Sequence, residues 1–526
     1  MIDSPVKQEP PPTSNEHKHS IVSRSLIARS IVSNWSYLTL NVLIALWMTP
    51  FVVHHLGDSE YGIWALVLQL TGYMGVVDVG LRSALVRFVA RFQALGDDEG
   101  LNRLLNSIIT LYVCIVPVCF VGAAIMAVFA LPHMQIPAGM LQIARLTVFI
   151  AAACIACDFV FATSHASLAG LSRWDLTNGV WISVLVVRTA LIILFLELGF
   201  GLVTVALIQF GVTLAGYSSE TILLRKLLPR FRFRWQKPEV SHLRPVMEHG
   251  WYSFLLSVAT KVNYQVDSIV IAFFLPIGEV TFYVIGLRLV EYLRDLLNST
   301  TMIFAPLISS FDAVGEKQHV AAVLIRGTKY SLFVAFLGAS TLLSLGGPFI
   351  RLWMGERFGG PSGSVLVMLT LGVVVSSTQF AGAHALYGLG KHRLNVIWTT
   401  IESILNLSLS IALVQRYGII GVAAGTTIAN IIVRGWLFPS SFLRVLDVPW
   451  RTYLRNGVAP AVLPALSFWA GTRLYQYPFP IHTYGGLLAA SALGLVLFLA
   501  CVWFWSLDWQ DRKLIREKGR QLFKRS

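Results

Sequence analysis

Leu168-Ala169-Gly170-Leu171-Ser172-Arg173-Trp174-Asp175-Leu176 returns later as Leu386-Tyr387-Gly388-Leu389-Gly390-Lys391-His392-Arg393-Leu394, and both copies sit among long apolar runs. The interval from Gly170 to Gly388 recurs elsewhere in the chain. Leu56-Gly57-Asp58-Ser59-Glu60 stands at nearly the same distance from Leu275-Pro276-Ile277-Gly278-Glu279, and Gly201 from Gly421. A near-constant offset at three places points to duplication of a whole unit, and repeated bundles of apolar helices are a common plan of membrane carriers.

Composition bounds the class. Hydrophobic residues make up 55% of the chain and charged ones 13%, with a mean hydropathy of +0.67. Soluble domains carry about a quarter charged residues, so the chain reads as a polytopic membrane protein whose immediate partner is membrane lipid. Its net charge of +14 would suggest nucleic acid in a soluble chain. Here the basic residues fall in short loops and tails between apolar spans, which is a topological signal, and no nucleic-acid partner is expected. Cys114, Cys119, Cys154, Cys157 and Cys501 all lie in apolar runs. Cys154 and Cys157 have redox spacing but not the polar setting a reactive thiolate needs. The N-terminal stretch is polar and holds Pro5, Pro10, Pro11 and Pro12. It reads as a disordered tail rather than a cleavable leader.

Crossing the hydrocarbon core takes about 20 apolar residues. On that measure the chain is all-α with about fourteen transmembrane helices. It divides into a disordered tail (1–30), a first six-helix lobe (31–224), a basic linker (225–249), a second six-helix lobe (250–438), two additional helices (439–506) and a basic tail (507–526). With the N-terminus placed in the cytoplasm, 31 of the 41 lysines and arginines fall on that side and 5 on the other. The positive-inside rule then makes both termini cytoplasmic. No connection approaches the ~50 residues of an independent domain.

The remaining five bases, Arg188, Lys261, Arg288, Arg294 and Arg434, fall inside expected spans. An ionised group at mid-bilayer costs at least ~2.5 kcal/mol unless it is paired or faces water. Arg434 is near a helix end and is expected to snorkel. At about 100° per residue, Arg288, Glu291, Arg294 and Asp295 share roughly a third of one helix circumference. They form either an internal salt-bridge network or the wall of a hydrated cavity. On the preceding helix Ser257, Lys261, Tyr264, Gln265 and Ser268 form a polar stripe, with Asn263 and Asp267 beside it. The first lobe offers Gln69, Tyr73 and Asp78 in its second helix and Arg188 in its fifth; Glu402 and Asn406 share a face of the eleventh. Asp158, His165 and His384 read as lone, satisfied packing residues. A cavity rich in guanidinium suits phosphate, whose oxygens match the fork.

Catalytic patterns do not emerge. Gly388-Leu389-Gly390-Lys391-His392 lacks both the spacing and the hydroxyl of a phosphate-binding loop. His54-His55 lacks metal-site spacing. No cofactor, metal or enzymatic activity is expected.

Other motifs carry a family resemblance. Thr49-Pro50-Phe51 and Leu56-Gly57-Asp58-Ser59-Glu60-Tyr61-Gly62-Ile63-Trp64 resemble the opening of O-antigen and polysaccharide flippases of the multidrug/oligosaccharidyl-lipid/polysaccharide exporter superfamily. Asp78-Val79-Gly80-Leu81 with Ala84-Leu85-Val86-Arg87-Phe88 resembles that family's second-helix exit. Asp267 with Ile269-Val270-Ile271, and Gly347-Pro348-Phe349-Ile350 before Leu352-Trp353-Met354-Gly355, resemble its later signatures. The similarity runs over about residues 31–440 and is better for the superfamily than for the substrate. It implies two six-helix lobes that rock around a central cavity in the bacterial cytoplasmic membrane, and a lipid-linked glycan of undecaprenyl-diphosphate type as substrate. A glycan polymerase and glycosyltransferases are the implied neighbours in lipopolysaccharide, O-antigen or exopolysaccharide assembly. Lys261, Arg288 and Arg294 are the implied cationic cavity, with Arg188, Gln265 and Tyr264 as further substrate-binding candidates. Asp78, Asp267, Glu291, Asp295 and Glu402 are candidate charge partners or ion-coupling groups. The rivals are a multidrug exporter of the same fold and a membrane glycosyltransferase or glycan polymerase; short loops and a cationic cavity argue against both.

Overall fold

The computed structural model describes residues 24–74, 81–232, 234–235, 240–391, 393–509, 511–513 and 516–517, and no strand occurs among them. The α-helices in chain order are α1 (Arg24–Met74), α2 (Leu81–Leu95), α3 (Asp98–Ile125), α4 (Leu141–Gly170), α5 (Trp174–Glu197), α6 (Leu202–Leu227), α7 (Val240–Phe274), α8 (Gly278–Thr301) and α9 (Phe304–Ala313). There follow α10 (Lys317–Met354), α11 (Glu356–Gly359), α12 (Pro361–Ser377), α13 (Phe380–Gly388), α14 (Arg393–Ile432), α15 (Phe438–Val445), α16 (Trp450–Thr452), α17 (Ala459–Gln476) and α18 (Tyr484–Cys501). All-helical structure is what hydrocarbon demands, because every backbone polar group must be satisfied within the chain. Nine segments of the described residues are long and apolar enough to cross a membrane. Val32–Leu70 and Arg393–Val445 each hold two expected spans, divided at Gly57 and Gly418. α8 is not among the nine; its charged stripe lowers its hydropathy.

The duplication is written into the backbone. Left-handed φ occurs at Gly96 and Gly315, at Ser172 and Gly390, and at Gly199 and Gly418. The members of each pair are separated by the interval of the sequence repeat, to within a single position. The quoted motif owes its glycine to a close helix approach. A Cβ on Gly170 would stand 2.8 Å from the Val86 carbonyl oxygen, and one on Gly388 would stand 2.5 Å from that of Ala305. Val86 and Ala305 are themselves related by the repeat, so both copies use the same contact.

Contacts divide the chain into two compact units. One comprises the described residues of Met1–Thr49, Gly80–Ala123 and Phe149–Glu248; the other those of Pro50–Val79, Ala124–Val148 and His249–Ser526. The second unit therefore includes two stretches of the first repeat. Gln135 N–H donates to the Ala272 carbonyl (2.8 Å), and Ile277 N–H donates to that of Gln135 (3.2 Å). The Thr281 hydroxyl donates to the Asp58 carbonyl (2.7 Å), and Arg357 forms an ion pair with the Asp58 carboxylate. Gly62 lies so close to Ile277 that a Cβ would be 2.3 Å from its carbonyl oxygen.

In the same unit α17 and α18 dock along α10. Ser340 donates to the Ala465 carbonyl (3.2 Å), Gln476 to that of Ser344 (3.2 Å) and Tyr484 to that of Leu352 (3.0 Å). At the other end buried Lys329 reaches Asp511 (2.9 Å) and Asp508 (3.3 Å), and the Tyr330 hydroxyl donates to Asp511 (2.7 Å). Burial acts to raise the Asp511 pKa, but hydrogen bonds from Tyr330 and Lys329 and the lysine charge together hold it below the ordinary 3.8.

Two measurements test this packing. Gly170→Ala and Gly388→Ala should each lower thermal stability, by about 1–3 kcal/mol as an overpacked contact. Gly179→Ala, whose Cβ would meet nothing within 4 Å, should not. For a depressed carboxylate, the stabilisation is fully present above the unfolded value and disappears as pH falls through the folded one. The docking of Asp511 should therefore hold down to its ordinary 3.8 and weaken only below it. Hydrogen exchange at 508–513 across that range reads it, with Asp511→Asn insensitive to pH.

Candidate functional site

The candidate residues of the second repeat gather on α7, α8 and α14. Asp267 of α7 is 3% exposed. It accepts hydrogen bonds from the Tyr283 hydroxyl (2.5 Å), the Thr426 hydroxyl (2.8 Å) and Asn406 Nδ2 (3.5 Å). The Asn406 side-chain oxygen lies 3.0 Å from Thr426 Oγ1 and 3.1 Å from Ser410 Oγ. Thr426 has one hydroxyl proton and three acceptors within reach: Asp267, Asn406 and the Val422 carbonyl at 3.3 Å. Only one can be served at a time. The nest is richer in acceptors than in donors, an arrangement suited to a positive charge.

Cationic side chains stand beside it. Arg294, 8% exposed, interacts electrostatically with Asp267 and Tyr283 on one side and with Glu291 and Asp295 on the other. Arg288 donates to Glu291 at 2.9 Å, with 45% of the arginine side chain exposed. Lys261 is half-buried, and among the described residues no carboxylate lies within ion-pair distance of it. Among the described residues, the buried side-chain oxygen of Gln265 has no hydrogen-bond partner. The stripe is thus graded. Arg294 and Asp267 are enclosed, whereas Arg288, Glu291 and Lys261 keep accessible surface.

Other expected residues stand apart from this group. Arg188 belongs to the other compact unit, where it donates to Gln209 (3.1 Å), which donates to Thr213 (3.2 Å). The interval of the repeat carries Arg188 onto Asn406. Where the second repeat builds an acidic nest, the first has a resident guanidinium. Asp78 and the side chains of Tyr73 and Tyr264 lie outside the described residues. Glu402, 1% exposed, accepts from Arg434 at 2.6 Å. Arg434 does not snorkel: it is 8% exposed, also donates to Thr399 (2.7 Å) and Asn395 (3.3 Å), and stacks over Phe438. A buried acid within reach outweighed the short path to the helix end.

Two clusters of the first unit escaped the sequence reading. Asp158 accepts from both Arg82 and the Tyr217 hydroxyl. Glu220, wholly buried, accepts from Trp181 Nε1 (2.9 Å) and faces His165 Nδ1 (3.0 Å). Arg82 passed for a loop base, and Asp158 and His165 for isolated residues. Their partners come from helices distant in sequence, where periodicity on one helix carries no signal.

Comparison with known proteins bears on the family and the fold. Residues 27–312 match a family described as polysaccharide biosynthesis protein. An uncharacterized membrane protein, EpsK of Bacillus subtilis, is 21% identical over 93% of this chain and 97% of its own length. A putative O-antigen transporter of Shigella flexneri is 21% identical over 79% of this chain and 98% of its own. Among solved structures, the lipid II flippase MurJ in an inward closed conformation superposes with a TM-score of 0.66 at 17% identity, covering 90% of this chain and 98% of that one. A multidrug resistance MATE family transporter in an inward-facing conformation gives 0.64 at 14%, over 77% and 94%. At such identities the structural likeness bears on the fold alone.

Proposed function

The chain belongs to the polysaccharide biosynthesis protein family, and from that premise we propose that it flips a lipid-linked oligosaccharide across the bacterial cytoplasmic membrane by alternating access. The carrier lipid is of undecaprenyl-diphosphate type, both termini are cytoplasmic, and the lobes are 31–224 and 250–438. The observation that carries this reading is the graded stripe of α7 and α8. Lys261 and Arg288 keep accessible surface inside an otherwise apolar helix pair, while Arg294 is held beside Asp267. A diphosphate brings acceptor oxygens that a guanidinium fork binds well, and its lipid tail need not leave the bilayer. A glycan polymerase and glycosyltransferases would act on either side of this step.

Asp267, Asn406, Ser410 and Thr426 would hold the coupling ion, a proton or a monovalent cation. Each lobe movement would have to break the contacts between Asp58, Gln135 and the helix ends at Ala272, Ile277 and Arg357. A drug exporter would need accessible acids to attract cations. Here Asp267 is enclosed by Tyr283 and Thr426.

In cells lacking the native protein, Arg288→Ala should leave lipid-linked glycan on the cytoplasmic leaflet at normal protein levels. Losing a charge-assisted contact of about 1.5–3 kcal/mol corresponds to roughly ten- to a hundredfold in affinity. If Arg288 serves only to balance Glu291, the double change Arg288→Ala with Glu291→Ala restores export and the phosphate role is wrong. Asp267→Asn keeps an acceptor for Tyr283 and Thr426 but removes the charge. Stimulation of flipping by an imposed ion gradient, about 5- to 150-fold for a coupling of ordinary size, should disappear in proteoliposomes while substrate binding persists.

A further inference from the structure

Between α6 and α7 runs Arg230-Phe231-Arg232-Phe233-Arg234-Trp235, in which arginine alternates with an aromatic residue. Two asparagines one turn apart on α3 hold its backbone. Asn102 accepts from the Arg232 N–H (3.0 Å) and donates to the Arg230 carbonyl (3.2 Å). Asn106 accepts from the Arg234 N–H (3.0 Å) and donates to the Arg232 carbonyl (3.0 Å). The fit is metric. Residues four apart on a helix rise about 6 Å, and two residues of extended chain advance about 6.6 Å. Successive side-chain amides therefore serve alternate linker residues, as a neighbouring strand would. Arg230 adds an ion pair to Asp98 at 2.6 Å.

Phe231 lines a cavity with Gln93, Leu101 and Leu228. Arg232 and Arg234 are exposed. Beyond them Trp235 is 64% exposed. α6, one of the segments apolar enough to cross a membrane, ends at Leu227, eight residues before Trp235.

We propose that Arg232, Arg234 and Trp235 form a docking surface for anionic phospholipid headgroups, presented in fixed register by Asn102 and Asn106. Arg232 and Arg234 take the lipid phosphates, whose oxygens match the guanidinium fork. Trp235 sits at the interface, where an apolar ring with one polar edge is stable. Charge complementarity and the short distance to both helix ends favour lipid over an acidic protein. Asn102 and Asn106 are positioning residues, since they touch the linker backbone and not the lipid.

Hydrogen exchange of the peptide 228–235 tests this in nanodiscs of phosphatidylcholine with and without phosphatidylglycerol, using the full chain. Each arginine at an anionic surface contributes about fivefold, so phosphatidylglycerol should slow exchange by about 25-fold. Arg232→Ala with Arg234→Ala should remove that slowing, and the paired lysine substitutions should keep most of it. Asn102→Ala with Asn106→Ala removes no charge yet should also weaken the lipid effect. Equal exchange in both lipids, or slowing that survives either alanine pair, overturns the proposal. So does slowing that appears only when an acidic protein fraction is added to phosphatidylcholine discs.

Discussion

A charge inside a bilayer must find its complement within the protein, and much of this structure follows from that requirement. Arg434 finds Glu402, Arg288 finds Glu291, and Asp158 takes both Arg82 and Tyr217. The pairings of Arg434 and Asp158 join stretches of helix that apolar packing alone would leave free to slide, since lipid tails compete with leucine for leucine. Asp267 is held chiefly by hydrogen bonds rather than by an ion pair of its own. It has donors from Tyr283 and Thr426, but the oxygens around it outnumber the protons available. A site that is nearly satisfied can accept one more positive charge without rebuilding its helices.

Duplication has preserved geometry more faithfully than chemistry. The paired left-handed turns and the paired helix contacts at Gly170 and Gly388 show one backbone used twice. At the position of Asn406 the first repeat has Arg188, already bonded to Gln209. One lobe carries its cation covalently; its counterpart has an acidic nest in the same place.

Much of the fold was legible because hydrocarbon restricts the vocabulary to apolar spans, and the repeat was legible because Gly170, Gly388 and their flanks must pack against backbone. The stripe of Arg288, Glu291, Arg294 and Asp295 could be read because all four lie on one helix. The nest around Asp267 was only half visible. Asn406 was noticed on its own face, but Thr426 and Ser410 are small hydroxyl residues that also occur throughout membrane helices. His165 with Glu220, and Arg434 with Glu402, depend on which helices become neighbours. No periodicity encodes that. Nor does the alternation of Arg230 to Trp235 mean much until Asn102 and Asn106 are seen to hold it.

The Asn102–Asn106 clamp also changes how strongly the repeats feel each other. The segment between α6 and α7 is a tether, and a tether sets an effective concentration that rises as its free length falls, reaching the millimolar range for short flexible chains. Pinning Arg230, Arg232 and Arg234 to α3 removes slack from it. The bonds of Asp58 and Gln135 to the second repeat need not be strong as separate encounters, because their partners never diffuse away. In the proposed alternating-access cycle, individually weak contacts that always re-form would suit a closure opened on every turnover.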